Sequence, residues 1–415
     1  MTDPDRRSDS LAVLLVVFDT GSLSPLEIVR AAAGICRPVF VVPSTAVDVG
    51  ELVELLTRLA AVVEVRAEYP DVDQLRRLRP AGIVTFSDSC LELSATLARE
   101  LGLCFHSPAT AERLASKLAQ RRALAESGLP PMRFAAVESQ PDIAAAVHLV
   151  GTPAVIKPIH GSGSRDTYRV DDDTQASAVL NHLVEQGADQ LIIEELLVGD
   201  PTACADWADI VSVETLFTDG KPHHLATTGR FSFASPFRET GSFMPSTLDH
   251  DGTAEAYELA ERAADALGVS DGCIHTEMKR TRAGMRIIEV NGRLGGLVAW
   301  LLRRSAQLDV GALVMRAALG VPVSEWITPV TKVAFQRLLV PPTDADRLVS
   351  VDGLKQIRTI DGVESAQIWA RSGDKVDWTR GYDAHLGVVS GAAQDHVELR
   401  SIIDRIDSSL DLTFM

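Results

Sequence analysis

Between Leu11 and Leu101 short apolar runs alternate with amphipathic stretches, and this alternation restricts the fold more than any other feature of the chain. Leu11–Val17, Pro38–Val42, Val62–Val65 and Gly82–Phe86 are predicted strands; Pro25–Ala33, Val49–Ala61, Val72–Leu78 and Leu91–Leu101 are predicted helices. Strands separated by helices run parallel, because each needs a crossover to return to the same end of the sheet. The expected unit is a parallel sheet covered by helices. Such a sheet suggests a dinucleotide site, but the first strand exits into Phe18-Asp19-Thr20-Gly21-Ser22-Leu23-Ser24-Pro25. That turn lacks GxGxxG, so a nicotinamide cofactor is not expected.

The chain has 415 residues, which at about 150 per domain allows about two to four domains. Its net charge of −17 argues against a nucleic-acid partner, since phosphate backbones need a basic surface. A nucleotide needs only a local cation cluster and stays open. The five cysteines, Cys36, Cys90, Cys104, Cys204 and Cys273, show no metal-like spacing and suggest reduced thiols in a cytoplasmic protein. The N-terminal MTDPDRRSDS is polar, and the apolar run after it is too short for a signal peptide or membrane span.

From Ser107-Pro108 a new section begins. A helix is predicted over Thr110–Ser127, stopped by Gly128 and Pro130-Pro131. Strands at Ala154–Pro158, Tyr168–Val170 and Gln190–Glu194 and a helix at Thr174–Gln186 follow. A larger β-rich part then holds Ile210–Phe217, His223–Arg230, Gly272–Arg280 and Met285–Asn291, with helices Thr253–Leu267, Val298–Gln307 and Val310–Leu319. After Val321 short strands are predicted at Val333–Val340, Val363–Ala370 and Tyr382–Ser390, and a last helix at Gln394–Leu410.

The chemistry concentrates in Gly272–Gly296. Two strands joined by a polar turn put Glu289 and Asn291 on one face, and a hairpin brings Glu277 beside them. Two carboxylates and an amide oxygen form a hard donor set suited to Mg²⁺ with nucleotide phosphates. Arg293 follows as a fixed cation. A surface hairpin also carries Glu and Asn, but it does not account for polar residues interrupting the apolar run Ile287-Ile288-Glu289-Val290-Asn291.

Three further features are individually weak. Lys157 ends an apolar strand before the loop Gly161-Ser162-Gly163-Ser164, an arrangement that can close over a triphosphate or can be a plain linker. Lys117 lies on the preceding helix, where a lysine is ordinarily solvated. Glu194-Glu195-Leu196-Leu197, running out to Gly199, can hinge two lobes and hold an adenine edge, or can be an ordinary strand end.

Taken in order, these motifs resemble the ATP-grasp superfamily over about residues 80–320. The resemblance implies mixed α/β and α+β architecture: an N-terminal parallel-sheet α/β domain (1–108), a two-lobed ATP-binding core (small lobe 109–199, large lobe 200–320) and a small C-terminal α+β domain (321–415). It implies that ATP is bound with Mg²⁺, or alternatively Mn²⁺. Lys117, Lys157, Gly161, Ser162, Gly163, Ser164, Glu194, Glu195, Leu196 and Leu197 would contact the nucleotide. Glu277, Glu289 and Asn291 would hold the metal, and Arg293 would face the reacting centre.

Finer texture is similar to the L-amino-acid ligases, which join carboxylates to amines: Ser212-Val213-Glu214, the loop Phe237-Arg238-Glu239-Thr240-Gly241-Ser242, and His275-Thr276-Glu277 with Arg293-Leu294-Gly295-Gly296-Leu297. This implies an ADP-forming ligase acting through an acyl phosphate on small-molecule substrates, amino acids among them. Glu239 would receive an ammonium group unless it is a rim carboxylate, with Ser242, Gly296 and Leu297 bordering the substrate. Arg230 and Arg238 would anchor phosphate or carboxylate, although Arg230 also reads as a surface charge. A histidine commonly stands at the Ser242 position, so this chain departs from the pattern there. His385 and Trp378 are expected to be packing residues. A carboxylase or purine-pathway enzyme of the same superfamily, a non-catalytic ATP-binding protein, and an unrelated α/β scaffold or interaction protein are the alternatives. Neither a membrane nor a nucleic-acid partner is expected; a homodimer and a carrier-bound substrate stay open.

Overall fold

The computed structural model describes residues 11–188, 190–202 and 206–415, so Cys204 and the MTDPDRRSDS segment lie outside the described residues. Strands β1 (Val13–Val17), β2 (Arg37–Pro43), β3 (Ala61–Val65) and β4 (Pro80–Thr85) form a parallel sheet in the order β3-β2-β1-β4. Every residue of β1 is buried, as a central parallel strand covered on both faces requires. The helix Pro25–Ala32 is fixed at its start by a capping box between Ser24 and Glu27. The helix predicted to reach Ala61 ends at Thr57, because Ala61 already begins β3.

The single helix expected over Thr110–Ser127 is two helices, Pro108–Ala115 and Lys117–Glu126. Ser116 breaks it: its backbone is extended, and its hydroxyl accepts from Ala119 N–H at 3.3 Å as an N-cap. Lys117 therefore sits in the first turn of the second helix, and its N–H donates to Ile159 O at 3.0 Å. A lysine at that point can reach the loop that follows Ile159.

The next sheet contains β5 (Phe134–Val137), β6 (Ala154–Pro158), β7 (Tyr168–Val170) and β8 (Leu191–Glu195), antiparallel in the order β5-β8-β6-β7. Strand β5 and the helix Ile143–Val150 carried no usable sequence signal. One is only four residues long, and the other is apolar around nearly its whole circumference.

The remaining strands are β9 (Ile210–Thr218), β10 (Lys221–Arg230), β11 (Gly241–Met244), β12 (Gly272–Thr281), β13 (Gly284–Asn291), β14 (Val333–Leu339), β15 (Leu348–Asp352), β16 (Val363–Ile368), β17 (Gly387–Ala393) and β18 (Asp411–Phe414). Eight of them make one antiparallel sheet, β13-β12-β9-β10-β11-β14-β17-β16, and β15 pairs with β18. Strands on either side of residue 320 thus share a sheet through the β11–β14 pairing. The strand expected over Tyr382–Ser390 begins only at Gly387. Before it, Trp378–Ala384 is a 3-10 segment broken at Gly381, whose φ of 62° and ψ of −126° no strand accommodates.

The helices Val298–Ser305 and Val310–Ala318 pack between the large sheet and the N-terminal unit, sharing one apolar core with Phe18, Phe40 and Phe86. This packing turns the ends of β1 and β4 toward the end of β13. Among the described residues no helix is long and apolar enough to cross a membrane.

Candidate active site

Pairing of β12 with β13 sets Glu277 opposite Glu289 and His275 opposite Asn291. Directly opposed residues on one face have Cβ atoms about 5 Å apart, and like charges there repel. Nearby cations offset the repulsion. Lys117 Nζ lies 3.4 Å from Glu289 and donates to Gly161 O at 2.5 Å, joining helix, loop and sheet. Arg230 Nη2 donates to Glu277 Oε1 at 3.3 Å.

Glu277 also faces His275 Nε2 at 3.1 Å, while His275 Nδ1 is in short contact with the fully buried Glu214. Burial would lower the His275 pKa, but the Glu214 charge and its hydrogen bond, helped by Glu277, carry it up to about 9. Burial would raise Glu277; the hydrogen bond and charge of His275, with Arg230 and Arg293, instead bring it down to about 2. Glu277 is therefore a carboxylate across the physiological range. Glu214 uses its other oxygen to accept from Gly295 N–H at 3.2 Å, fixing the turn after Arg293.

Among the described residues no cluster of three or more His, Cys, Asp or Glu is preassembled to hold a metal. The donor set is two opposed carboxylates and the Asn291 amide. It fits a hard divalent cation, which would replace the lysine and arginine contacts as the charge between Glu277 and Glu289.

Arg230 is 4% exposed, so it is not the surface charge that the sequence also allowed. Its Nε lies 3.0 Å from Glu239 Oε1, and Nη1 donates to Ser212 Oγ at 3.3 Å. Ser242 Oγ donates to Glu239 at 2.5 Å, so serine and arginine together aim the carboxylate. Arg238 is not part of this group; its guanidinium is turned to the carbonyls of Ser235 and Pro341.

Arg293 stands beyond β13 and donates from Nε and Nη2 to Asp88 Oδ2, at 2.9 and 2.5 Å. Burial would lower its pKa, and Asp88 more than compensates. Asp88 comes from the turn after β4, where Asp19 also lies buried, one oxygen accepting from Ser89 Oγ at 3.0 Å and the other without a partner.

Lys157 and Glu194 are buried partners, Nζ to Oε2 2.8 Å, and Arg121 closes the triad with Nε at 2.7 Å from Glu194 Oε1. Burial favours the protonated acid here, but Arg121 and Lys157 hold the Glu194 pKa down to about 2. Its side chain is thus an internal counter-charge, while Glu195 is shared by Arg133 and Arg286 at the rim. Leu196 N–H donates to Pro153 O at 3.1 Å, holding the segment that leads to Leu197. Gly161, Ser162, Gly163 and Ser164 are exposed, Gly296 is exposed, and Leu297 is half-buried against the apolar core. Contacts join Glu277, Arg230, Glu239 and Ser242 in one chain and Lys117 to Glu289 in another; strand register sets Glu289 opposite Glu277 and Asn291 opposite His275, and Arg293 is held apart by Asp88. Lys157 with Glu194 forms a neighbouring cluster.

Sequence reasoning missed Asp88, Arg121 and Asp19, and saw Glu214 and His275 only as parts of motifs. Asp88 and Asp19 end parallel strands, where open α/β sheets commonly place functional residues, and that signal was available.

An ATP-grasp domain signature matches residues 150–300, which contain Lys157, the glycine loop, Glu194 and the Glu277–Arg293 cluster. This stretch is an ATP-grasp domain. The chain is 32% identical over 254 residues to human carnosine synthase 1, covering 55% of its own length and 29% of that protein's. It is 27% identical over 231 residues to alanine–anticapsin ligase of Bacillus subtilis, covering 52% and 48%. The chain therefore spans less than half of the length of either relative. In fold it is similar to the crystal structure of an L-amino acid ligase from Bacillus licheniformis, with a TM-score of 0.77 at 20% identity over 97% of this chain and 99% of that one. The mixed architecture expected from the ATP-grasp resemblance, with its parallel-sheet unit and antiparallel lobes, is the one observed.

Proposed function

We propose that this ATP-grasp protein is an ATP- and Mg²⁺-dependent carboxylate–amine ligase that forms an amide from two small substrates, at least one an amino acid. The observation that carries the reading is the link from Glu277 through Arg230 to Glu239: one guanidinium joins the metal-type carboxylates to the substrate-type carboxylate. A nucleotide site alone has no use for the second half of that link.

In this reading Lys117, Lys157 and the Gly161–Ser164 loop hold the triphosphate. Glu277, Glu289 and Asn291 would hold Mg²⁺, which supplies charge neutralisation at the phosphates. A substrate carboxylate oxygen attacks the γ-phosphorus, the bond to the β-phosphate oxygen breaks, and ADP departs. Arg293, aligned by Asp88, faces the resulting acyl phosphate. The amine nitrogen then attacks the carbonyl carbon, phosphate leaves, and the amine loses a proton. Glu239 is the acceptor for a substrate ammonium group. In this reading residues 109–320 are the nucleotide core, residues 1–108 supply Asp88 to Arg293, and residues 321–415 extend the core's sheet through β14.

Incubation with Mg·ATP and single amino acids, then pairs, tests the reading, with ADP release and product mass as readouts. ADP that forms only with particular pairs, with a product mass equal to their sum less water, supports it. ATP binding with no turnover on any pair would sink the amino-acid assignment.

A further inference from the structure

The segment Trp378–His385 lies outside the matched ATP-grasp region, yet it touches both the glycine-rich loop and the loop that carries Glu239. On one side Tyr382 N–H donates to Gly163 O at 3.0 Å, and Asp166 N–H donates to Thr379 O at 3.2 Å. Arg165 Nη2 reaches Asp383 at 2.6 Å, and the Trp378 ring stands edge-on to Tyr168 with centroids 5.9 Å apart. On the other side His385 Nε2 meets Glu239 O at 2.9 Å, while Nδ1 meets Tyr382 O at 2.7 Å. A carbonyl oxygen only accepts, so the protonated ring fills both contacts and either neutral tautomer fills one.

Gly381 permits the approach. Its φ of +62° is open to glycine, and a Cβ there would stand 2.1 Å from Gly163 O and 2.7 Å from Arg165 N. The two backbones meet with no room for a side chain between them.

We infer that Trp378–His385 is a strap tying the glycine-rich loop to the loop that carries Glu239, so that closure over the phosphates depends on the position of the substrate loop. Tyr382 and His385 are positioning residues in this device. The purpose assigned to it rests on the ligase reading: the strap keeps water from the acyl phosphate until the Glu239 side is in place. The tie itself rests on the contacts alone.

Hydrogen exchange of the full chain with Mg·ATP separates the two. Gly381→Ala should raise exchange at 161–166 by about tenfold, equivalent to losing one or two main-chain bonds. His385→Ala should raise exchange at 236–240 and also at 161–166, and His385→Gln, with two amide N–H donors, should restore part of the protection. Asp383→Asn supplies a second perturbation of the same loop if Gly381→Ala does not fold. Unchanged exchange at 161–166 in these variants, or loosening by His385→Ala that stays within 236–240, overturns the tie. ADP release is read beside it: the loosened variants should release more ADP per amide formed than the parent. If the parent binds Mg·ATP but forms no amide with any pair, the amino-acid assignment falls, and the exchange data still decide the strap.

Discussion

Asp88 and Arg293 are separated by 205 positions, yet they meet through two hydrogen bonds to a single carboxylate oxygen. The parallel-sheet unit therefore holds the guanidinium that the proposed ligase reading sets at the reacting centre. Asp88→Asn keeps the shape and removes the charge. It is expected to lower kcat by about tenfold to a hundredfold, the effect of about 1.4–2.8 kcal/mol in transition-state stabilisation. ATP affinity should stay close to the parent value. Steady-state kinetics with ATP and the best substrate pair would check the split.

Glu194 neutralises two buried cations, so Glu194→Gln leaves Arg121 and Lys157 without a counter-charge. Breaking a buried pair from one side costs about 3–5 kcal/mol, and urea unfolding at neutral pH should show a loss of that size.

The same residue gives an acid limb. Its carboxyl has a folded pKa of about 2 against 4.5 ordinarily, so its contribution is complete above about pH 4.5 and disappears as pH falls toward 2. Glu277 acts in the same direction over the same range. In Glu194→Gln the unfolding midpoint should decline less steeply between pH 5 and about pH 3 than in the parent.

His275 supplies the opposite limb. Its pKa is raised from 6.5 to about 9, so its contribution is complete below about pH 6.5 and is lost as pH rises through 9. Glu214→Gln removes the main source of the shift. Thermal unfolding of that variant should be lower than the parent at pH 6.5, and the gap should narrow by pH 9.5.

Ser242→Ala frees one side of Glu239 without touching Lys117, Lys157 or Glu289. The KM of the ammonium-bearing substrate should rise by about fivefold to tenfold, in line with about 1 kcal/mol for a lost hydrogen bond, while the KM for ATP stays put. A change confined to ATP would contradict the assignment of this carboxylate.

The cluster around Glu277 was legible because strand periodicity alone places Glu289 and Asn291 together, and a tight hairpin supplies the partner. The parallel sheet was legible for a similar reason: uninterrupted apolar runs such as Val13–Val17 have few other homes. What escaped depended on contacts between distant segments. Nothing near Glu194 announces that its side chain turns inward to Arg121 and Lys157. Nothing near Ser116 outweighs the helical pattern on both sides, although the serine itself is a cap. Glu277 looked like a metal ligand awaiting an ion; the structure adds that His275 and Arg230 already hold it ionised. His385 was expected to pack; it stands edge-on to Tyr382 and also bonds to the Glu239 backbone.

The eight-stranded sheet has a consequence for engineering. Because β11 pairs with β14, a chain cut at residue 320 would lose the neighbour of β11 and leave a raw edge four residues long. Chimaeras that exchange the last hundred or so residues between related enzymes would need to transplant strands together with their register. The loop 235–240 carries less of that burden, provided that the bonds of Glu239 O to His385 and of Thr240 O to Leu338 N–H are kept. Variation that alters what this scaffold joins has an easier route through the turns than through the architecture.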